Sequence, residues 1–171
     1  MIRKRSKTNT LTLTGIFAAL ITIFTAYVGH VPIGINGGYI HFGDGLIYLA
    51  ATILPMPYAM LAGAIGGGLA DLLTAPAWTI ATVIIKALIV IPFTGKSLKI
   101  INKRNVAASV IAYFISATCY FIAEALLFGT ETAIITSFSG SFIQSLGSMI
   151  FFLILGTTLD KIGFKASILT R

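Results

Sequence analysis

Four charged side chains stand in or at the mouth of strongly apolar runs: Asp44, Asp71, Lys86 and Glu124. In a lipid medium each ionised group costs about 2.5–3.5 kcal/mol near the bilayer centre. Left facing lipid, they would penalise the fold by several kcal/mol, so they must face inward and pair, or line a wet pocket. Around them in sequence lie Asn36, Tyr39, His41, Trp78, Tyr120 and Gln144. Acids, a lysine and amides orient a polar ligand through hydrogen bonds, and aromatic rings stack on a flat one. Covalent chemistry is not indicated, because no serine–histidine set occurs at workable spacing. His41 and Asp44, three residues apart, resemble half a metal site, but no further histidine or cysteine supports one, and no metal is expected. No cofactor is expected either, and the chain reads as a non-enzyme with no catalytic residue.

The elements that hold these residues follow from composition. Of 171 residues, 57% are hydrophobic and 10% charged, and mean hydropathy is +0.97, whereas soluble domains carry about 25% charged residues. The natural solvent is therefore a lipid bilayer. Apolar blocks rather than alternating residues exclude a β-barrel and indicate helices. The net charge of +7 lies in three short patches, which a membrane explains better than nucleic acid does. The lone Cys119 permits no internal disulfide and reads as a packing residue. The basic start "MIRKRSKTNT" superficially resembles a signal peptide. The long apolar run behind it, with no clear cleavage site, reads as a retained span. The expectation is an all-α membrane protein, a single domain over residues 1–171.

Candidate spans are 11–29, 44–54, 57–74, 78–93, 106–128 and 134–159. The second is short: its eleven residues cover about 16 Å of a hydrocarbon core of about 30 Å. Two features oppose fusing it with the third. Pro55 and Pro57 lack backbone donors and clash with a preceding turn. Charge placement is the stronger one. With six spans and both termini cytoplasmic, eleven of the twelve Lys and Arg residues fall inside: Arg3, Lys4, Arg5 and Lys7; Lys96, Lys99, Lys103 and Arg104; Lys161, Lys165 and Arg171. Five spans would put the 94–105 loop outside, against the positive-inside rule. The short span must then be covered by protein or open to a cavity.

This topology gathers Asn36, Tyr39, His41, Asp44, Asp71, Trp78, Lys86, Tyr120, Glu124 and Gln144, with Ser139 and Ser141, in the outer half of the bundle. The inner half is expected to be almost wholly apolar. A short, interrupted second helix leaves room for a pocket opening outward. Plainer readings stand beside this one. Tyr39, Tyr58 and Trp78 also suit interfacial aromatics, Asp71 and Lys86 a structural ion pair, His30 a cap on the first span, and Glu131 a solvated loop charge.

Small residues recur at spacing four. Gly63 with Gly67, and Ala64 with Gly68, let the third span approach its neighbours closely. A nucleotide loop is excluded there, since no strand precedes and no GK[ST] follows. In the first span, Gly15 with Ala19 and Ala18 with Thr22 form stripes that suit internal packing or docking of another membrane protein.

The stretch from Gly38 to Ile89, "GYIHFGDGLIYLAATILPMPYAMLAGAIGGGLADLLTAPAWTIATVIIKALI", resembles the substrate-binding S components of energy-coupling factor (ECF) transporters. It is most similar to their riboflavin-type and hydroxymethylpyrimidine-type branch. The carrying motifs are Gly38 to Asp44, Gly63 to Leu72, and Lys86. The resemblance implies a subunit in a prokaryotic plasma membrane that binds a water-soluble vitamin or precursor from outside. It implies a transmembrane T component and two cytoplasmic ATPase subunits as partners in an ABC-type importer, and a toppling motion that releases the cargo. It also implies T-component docking through a small-residue motif on the first helix, here Gly15, Ala18, Ala19 and Thr22 in place of A-x-x-x-A. Riboflavin, hydroxymethylpyrimidine and pyridoxine all fit the expected ligand chemistry. No ATP-binding motif occurs in the chain, so the rival is a stand-alone, proton-coupled carrier or channel using Asp71, Lys86 and Glu124.

Overall fold

The computed structural model describes residues 6–32 and 39–170, with backbone alone at 130–136, 169 and 170. Among these residues are seven α-helices: α1 Lys7–Ala26, α2 Gly43–Ile53, α3 Met56–Thr74, α4 Thr79–Leu88, α5 Lys103–Phe128, α6 Thr130–Lys161 and α7 Phe164–Thr170. A two-stranded antiparallel ribbon, β1 Val31–Pro32 and β2 Tyr39–Ile40, joins α1 to α2. Four helices, α1, α3, α5 and α6 from Ser137, are long and apolar enough to cross a membrane; α2 and the Pro76–Leu88 stretch are apolar but shorter. The protein is thus an all-α membrane protein.

Local chemistry sets the helix ends. Ser6 caps α1 by accepting from the Asn9 amide at 3.2 Å, and Asn102 caps α5 by accepting from the Asn105 amide at 3.0 Å, each satisfying an orphan donor. Leu54 turns extended (ψ 155°) before Pro55, as a residue before proline prefers. Pro57 then sits in the first turn of α3, where its missing N–H costs nothing. The expected break between the second and third spans is therefore present as a tight turn. The fourth span, expected over 78–93, is helical only over Thr79–Leu88. Tight turns carry Val90, Ile91 and Phe93 beyond it, because Pro92 cannot donate to a helix. Helix α6 starts earlier than expected, directly after Gly129 at φ 94°, so the backbone at Glu131 is helical rather than loop; its side chain lies outside the described ones.

Packing centres on α2. All of its residues are buried, between α1, α3 and α6. This meets the demand that a span too short for the bilayer be wrapped in protein. Tyr48 of α2 stacks on Phe93 at 5.0 Å and meets Phe152 edge-on at 5.9 Å. Close approach comes from α3. A Cβ on Gly66 would lie 2.7 Å from Ile21 Cβ of α1, and one on Gly67 would lie 2.7 Å from Lys86 Cγ of α4. Lipid offers no hydrophobic drive between helices, so such small-residue contacts supply the association. Leu69, Leu72, Ile84, Ile111 and Phe114 face outward, as a lipid-immersed surface requires.

The half expected to be almost wholly apolar departs from that picture. Lys165 is buried and donates to the carbonyls of Gly95 (3.0 Å) and Ser97 (2.6 Å). Asp160 accepts from the amides of Ile100 (2.8 Å) and Ile101 (2.9 Å). The Asn105 side chain bonds Thr94 and Ile100 backbone groups. The connection from α4 to α5 is irregular, and its buried amides and carbonyls need partners that a helix would have supplied itself.

Candidate ligand-binding site

Asp44 opens the second helix in its first turn, where the helix dipole favours an anion. It is fully buried. Lys86, on α4, reaches across to it: Nζ lies 2.7 Å from Oδ1 and donates to Oδ2 at 2.9 Å. Gln144 of α6 donates its Nε2–H to the same Oδ2 at 2.9 Å. Three helices thus converge on one carboxylate. The plainer reading in which Lys86 pairs with Asp71 gives way: its ion-pair partner is Asp44. Gly67 lets the Lys86 stem pass against α3, and Asp71 sits one helical turn further along that helix.

Aromatic rings wall the cluster. The Tyr120 ring centroid is 5.4 Å from Lys86 Nζ, and the Tyr120 and Thr82 hydroxyls are 3.0 Å apart. Trp78 meets the Tyr120 ring at 5.9 Å and Phe128 at 5.5 Å. Trp78, Thr82 and Lys86 recur at spacing four and so share one face. Thr82 escaped the sequence reading, although that spacing could have found it.

A second group covers this end of the bundle. Tyr39 donates its hydroxyl to the Asp71 carboxylate. Burial, and then the Asp71 charge beside it, push the Tyr39 phenol above its ordinary range, so it stays a donor. His30 stacks on Tyr39 at 3.9 Å, and its Nδ1 lies 3.2 Å from the Thr25 carbonyl at the end of α1, the capping place expected for it. His41 Nδ1 accepts from the Gly43 amide at 3.0 Å, which requires an unprotonated Nδ1. Burial above all pushes the His41 imidazole down to about 3, with the Lys86 and His30 charges acting in the same direction against Asp44. One turn beyond Tyr120 on α5 and two turns before Gln144 on α6, Ser137 donates to Glu124 Oε2 at 2.5 Å in a buried contact. Asn36 lies outside the described residues.

The structure therefore brings Asp44, Lys86, Gln144, Tyr120 and Trp78 into one cluster. It sets Tyr39, Asp71 and His41 beside that cluster, and Glu124 further along the same polar strip. Among the described residues no group of three His, Cys, Asp or Glu side chains is arranged to hold a metal. The chemistry on offer is recognition: a lysine and an amide that donate, a carboxylate that accepts, and ring faces beside them. The small-residue stripes of α1 divide between two environments. Ala18 is buried, and Thr22 donates to the Ala18 carbonyl (2.9 Å) and to Gly66 O of α3 (3.1 Å). Gly15 and Ala19 are exposed, with open space where a Gly15 Cβ would stand.

Comparison with known proteins gives two findings. The family model described as "ECF-type riboflavin transporter, S component" matches residues 5–161. An uncharacterized protein of Pyrococcus woesei, from a gap 3' region, is 36% identical over 66 residues, which cover 39% of this chain and 44% of that protein.

Proposed function

The chain belongs to the family of ECF-type riboflavin transporter S components, and we propose that it captures a flat, polar heterocycle for uptake powered by partner subunits. Membership makes it a vitamin-binding transporter subunit and a multi-pass membrane protein. The observation that carries the finer reading is the Asp44–Lys86–Gln144 cluster under Tyr120 and Trp78. A buried ion pair is a poor stabilising device, since well-packed apolar residues of similar volume often do as well or better. Its presence in a lipid-immersed bundle therefore favours a binding role. A ligand that accepts from Lys86 and donates to Asp44 replaces one satisfied arrangement by another and leaves no buried charge unpaired. Asn36, Tyr39, His41, Asp71, Trp78, Tyr120, Glu124 and Gln144 complete the proposed contact set. Riboflavin, hydroxymethylpyrimidine and pyridoxine are the ligands to try first.

The proposed arrangement has six spans with both termini cytoplasmic, so that the site opens outward. Support comes from the eleven basic residues outside the site, all of which then fall on the cytoplasmic side, and from the protein cover around α2. A T component and two ATPase subunits are the proposed partners. The exposed Gly15–Ala19 stripe of α1 is the proposed T-docking face, and Ala18 and Thr22 support it from behind through α3.

Isothermal titration of the purified subunit with each of the three compounds tests the reading. One of them should bind at a single site. Vesicles holding this chain alone should not accumulate it, whereas vesicles that also hold the T and ATPase subunits should do so when supplied with ATP. Accumulation by the chain alone, driven by a proton gradient, would instead establish a secondary carrier.

A further inference from the structure

A cavity of about 150 Å³ lies between α5 and α6, lined by Ser109, Val110, Tyr113, Phe142, Ser145, Leu146 and Met149. Its wall is apolar, and Val110, Phe142 and Leu146 are about half exposed on the surface that faces lipid. Lys103 precedes Val110 by two turns of α5 and so lies on the same side of that helix, about 10 Å nearer the basic end. Exposed Lys99 stands just before it in the connection from α4. That connection is held in place by Asp160 at Ile100 and Ile101, by Asn105 at Thr94 and Ile100, and by Lys165 at Gly95 and Ser97. The one acid among the described residues at this end, Asp160, spends both oxygens on backbone amides, and Lys96, Lys99, Lys103 and Arg104 outnumber its single negative charge.

We propose that this groove binds one anionic phospholipid, with an acyl chain along the α5–α6 cavity and the phosphate between Lys99 and Lys103. An apolar slot with exposed lysines further along toward the basic end complements an acyl chain joined to an anion. A peptide in the same slot would bury backbone amides that the apolar wall cannot satisfy. The tethered loop fixes the backbone on either side of Lys99 before the lipid arrives, which lowers the backbone part of the ordering cost of binding.

Native mass spectrometry of the full chain, released from a non-ionic detergent containing equimolar phosphatidylglycerol and phosphatidylcholine with the same acyl chains, tests this. The wild type should retain one phosphatidylglycerol with at least tenfold preference. The double variant Lys99→Glu/Lys103→Glu, with unchanged melting temperature, should lose the preference. Val110→Phe and Leu146→Trp, which fill the slot from its exposed side, should lose the retained lipid. No preference in the wild type would overturn the proposal, as would preference surviving in the double lysine variant. Undiminished retention in a folded slot-filling variant would overturn it too, by reducing the effect to headgroup attraction at the bilayer surface.

Discussion

At the scale of residues, the Asp44–Lys86 pair links stability to binding, and the two can be separated. Removing one member of a buried pair strands the other, at a cost of about 3–5 kcal/mol. Lys86→Ala and Asp44→Ala should each lower thermal stability strongly in detergent and weaken ligand binding at least tenfold, about 1.4 kcal/mol. Asp44→Leu combined with Lys86→Met should recover most of the stability while binding stays lost. Recovery of both would assign the pair a structural role. His41 gives a pH signature. Its pKa falls from 6.5 to about 3 on burial, so below about pH 6.5 the unfolded chain takes up a proton that the folded protein refuses. The stability this imidazole contributes is full above pH 6.5 and is lost progressively as pH falls toward 3. The drop in melting temperature between pH 7 and pH 5 should be smaller in His41→Asn than in the wild type; equal drops would contradict it. That Asp44, Lys86, Tyr120 and Gln144 would gather into one cluster was legible because they are polar or amphipathic types in apolar surroundings. Its pairing was not: Asp44 and Asp71 both lie within plausible reach of Lys86 in sequence, and only the packing at Gly67 and α2 decides between them.

At the scale of elements, the two faces of α1 carry different duties. The inner face meets α3 at Gly66, where a Cβ would fall 2.7 Å from Ile21 Cβ and 2.8 Å from the Ala18 carbonyl. Gly66→Val should therefore destabilise the isolated subunit by about 1–3 kcal/mol, read as a lowered unfolding midpoint. On the outer face, Ala19→Leu should leave that midpoint and ligand affinity unchanged but reduce the yield of complex co-purified with T and ATPase subunits. Normal assembly in that variant would move the docking face elsewhere. Two prolines made the end of α2 readable. The end of α4 was harder to see because Val90 to Phe93 is as apolar as the helix before it, so hydropathy carries no boundary. The ribbon at Val31–Pro32 and Tyr39–Ile40 was beyond reach for a different reason: strands of two residues are too short to show alternation.

At the scale of the molecule, polarity is distributed unevenly. One end gathers a set of charges, hydroxyls and rings. The other spends its polar groups on tying an irregular connection to α5, α6 and α7. Basic residues marked that second end in the sequence, but they could not reveal that Lys165 turns inward to bind carbonyls. A charge count treats a tethering lysine and a solvated one alike. The central claim is that the first end is a vitamin site, and identification of what it holds tests this most directly. Wild type and the Asp44→Leu/Lys86→Met variant should be purified in parallel under mild conditions and their retained small molecules identified by mass spectrometry. The account predicts a single flat heterocycle near one equivalent in the wild type and none in the variant. The same compound in both preparations, at equal amounts, would contradict it.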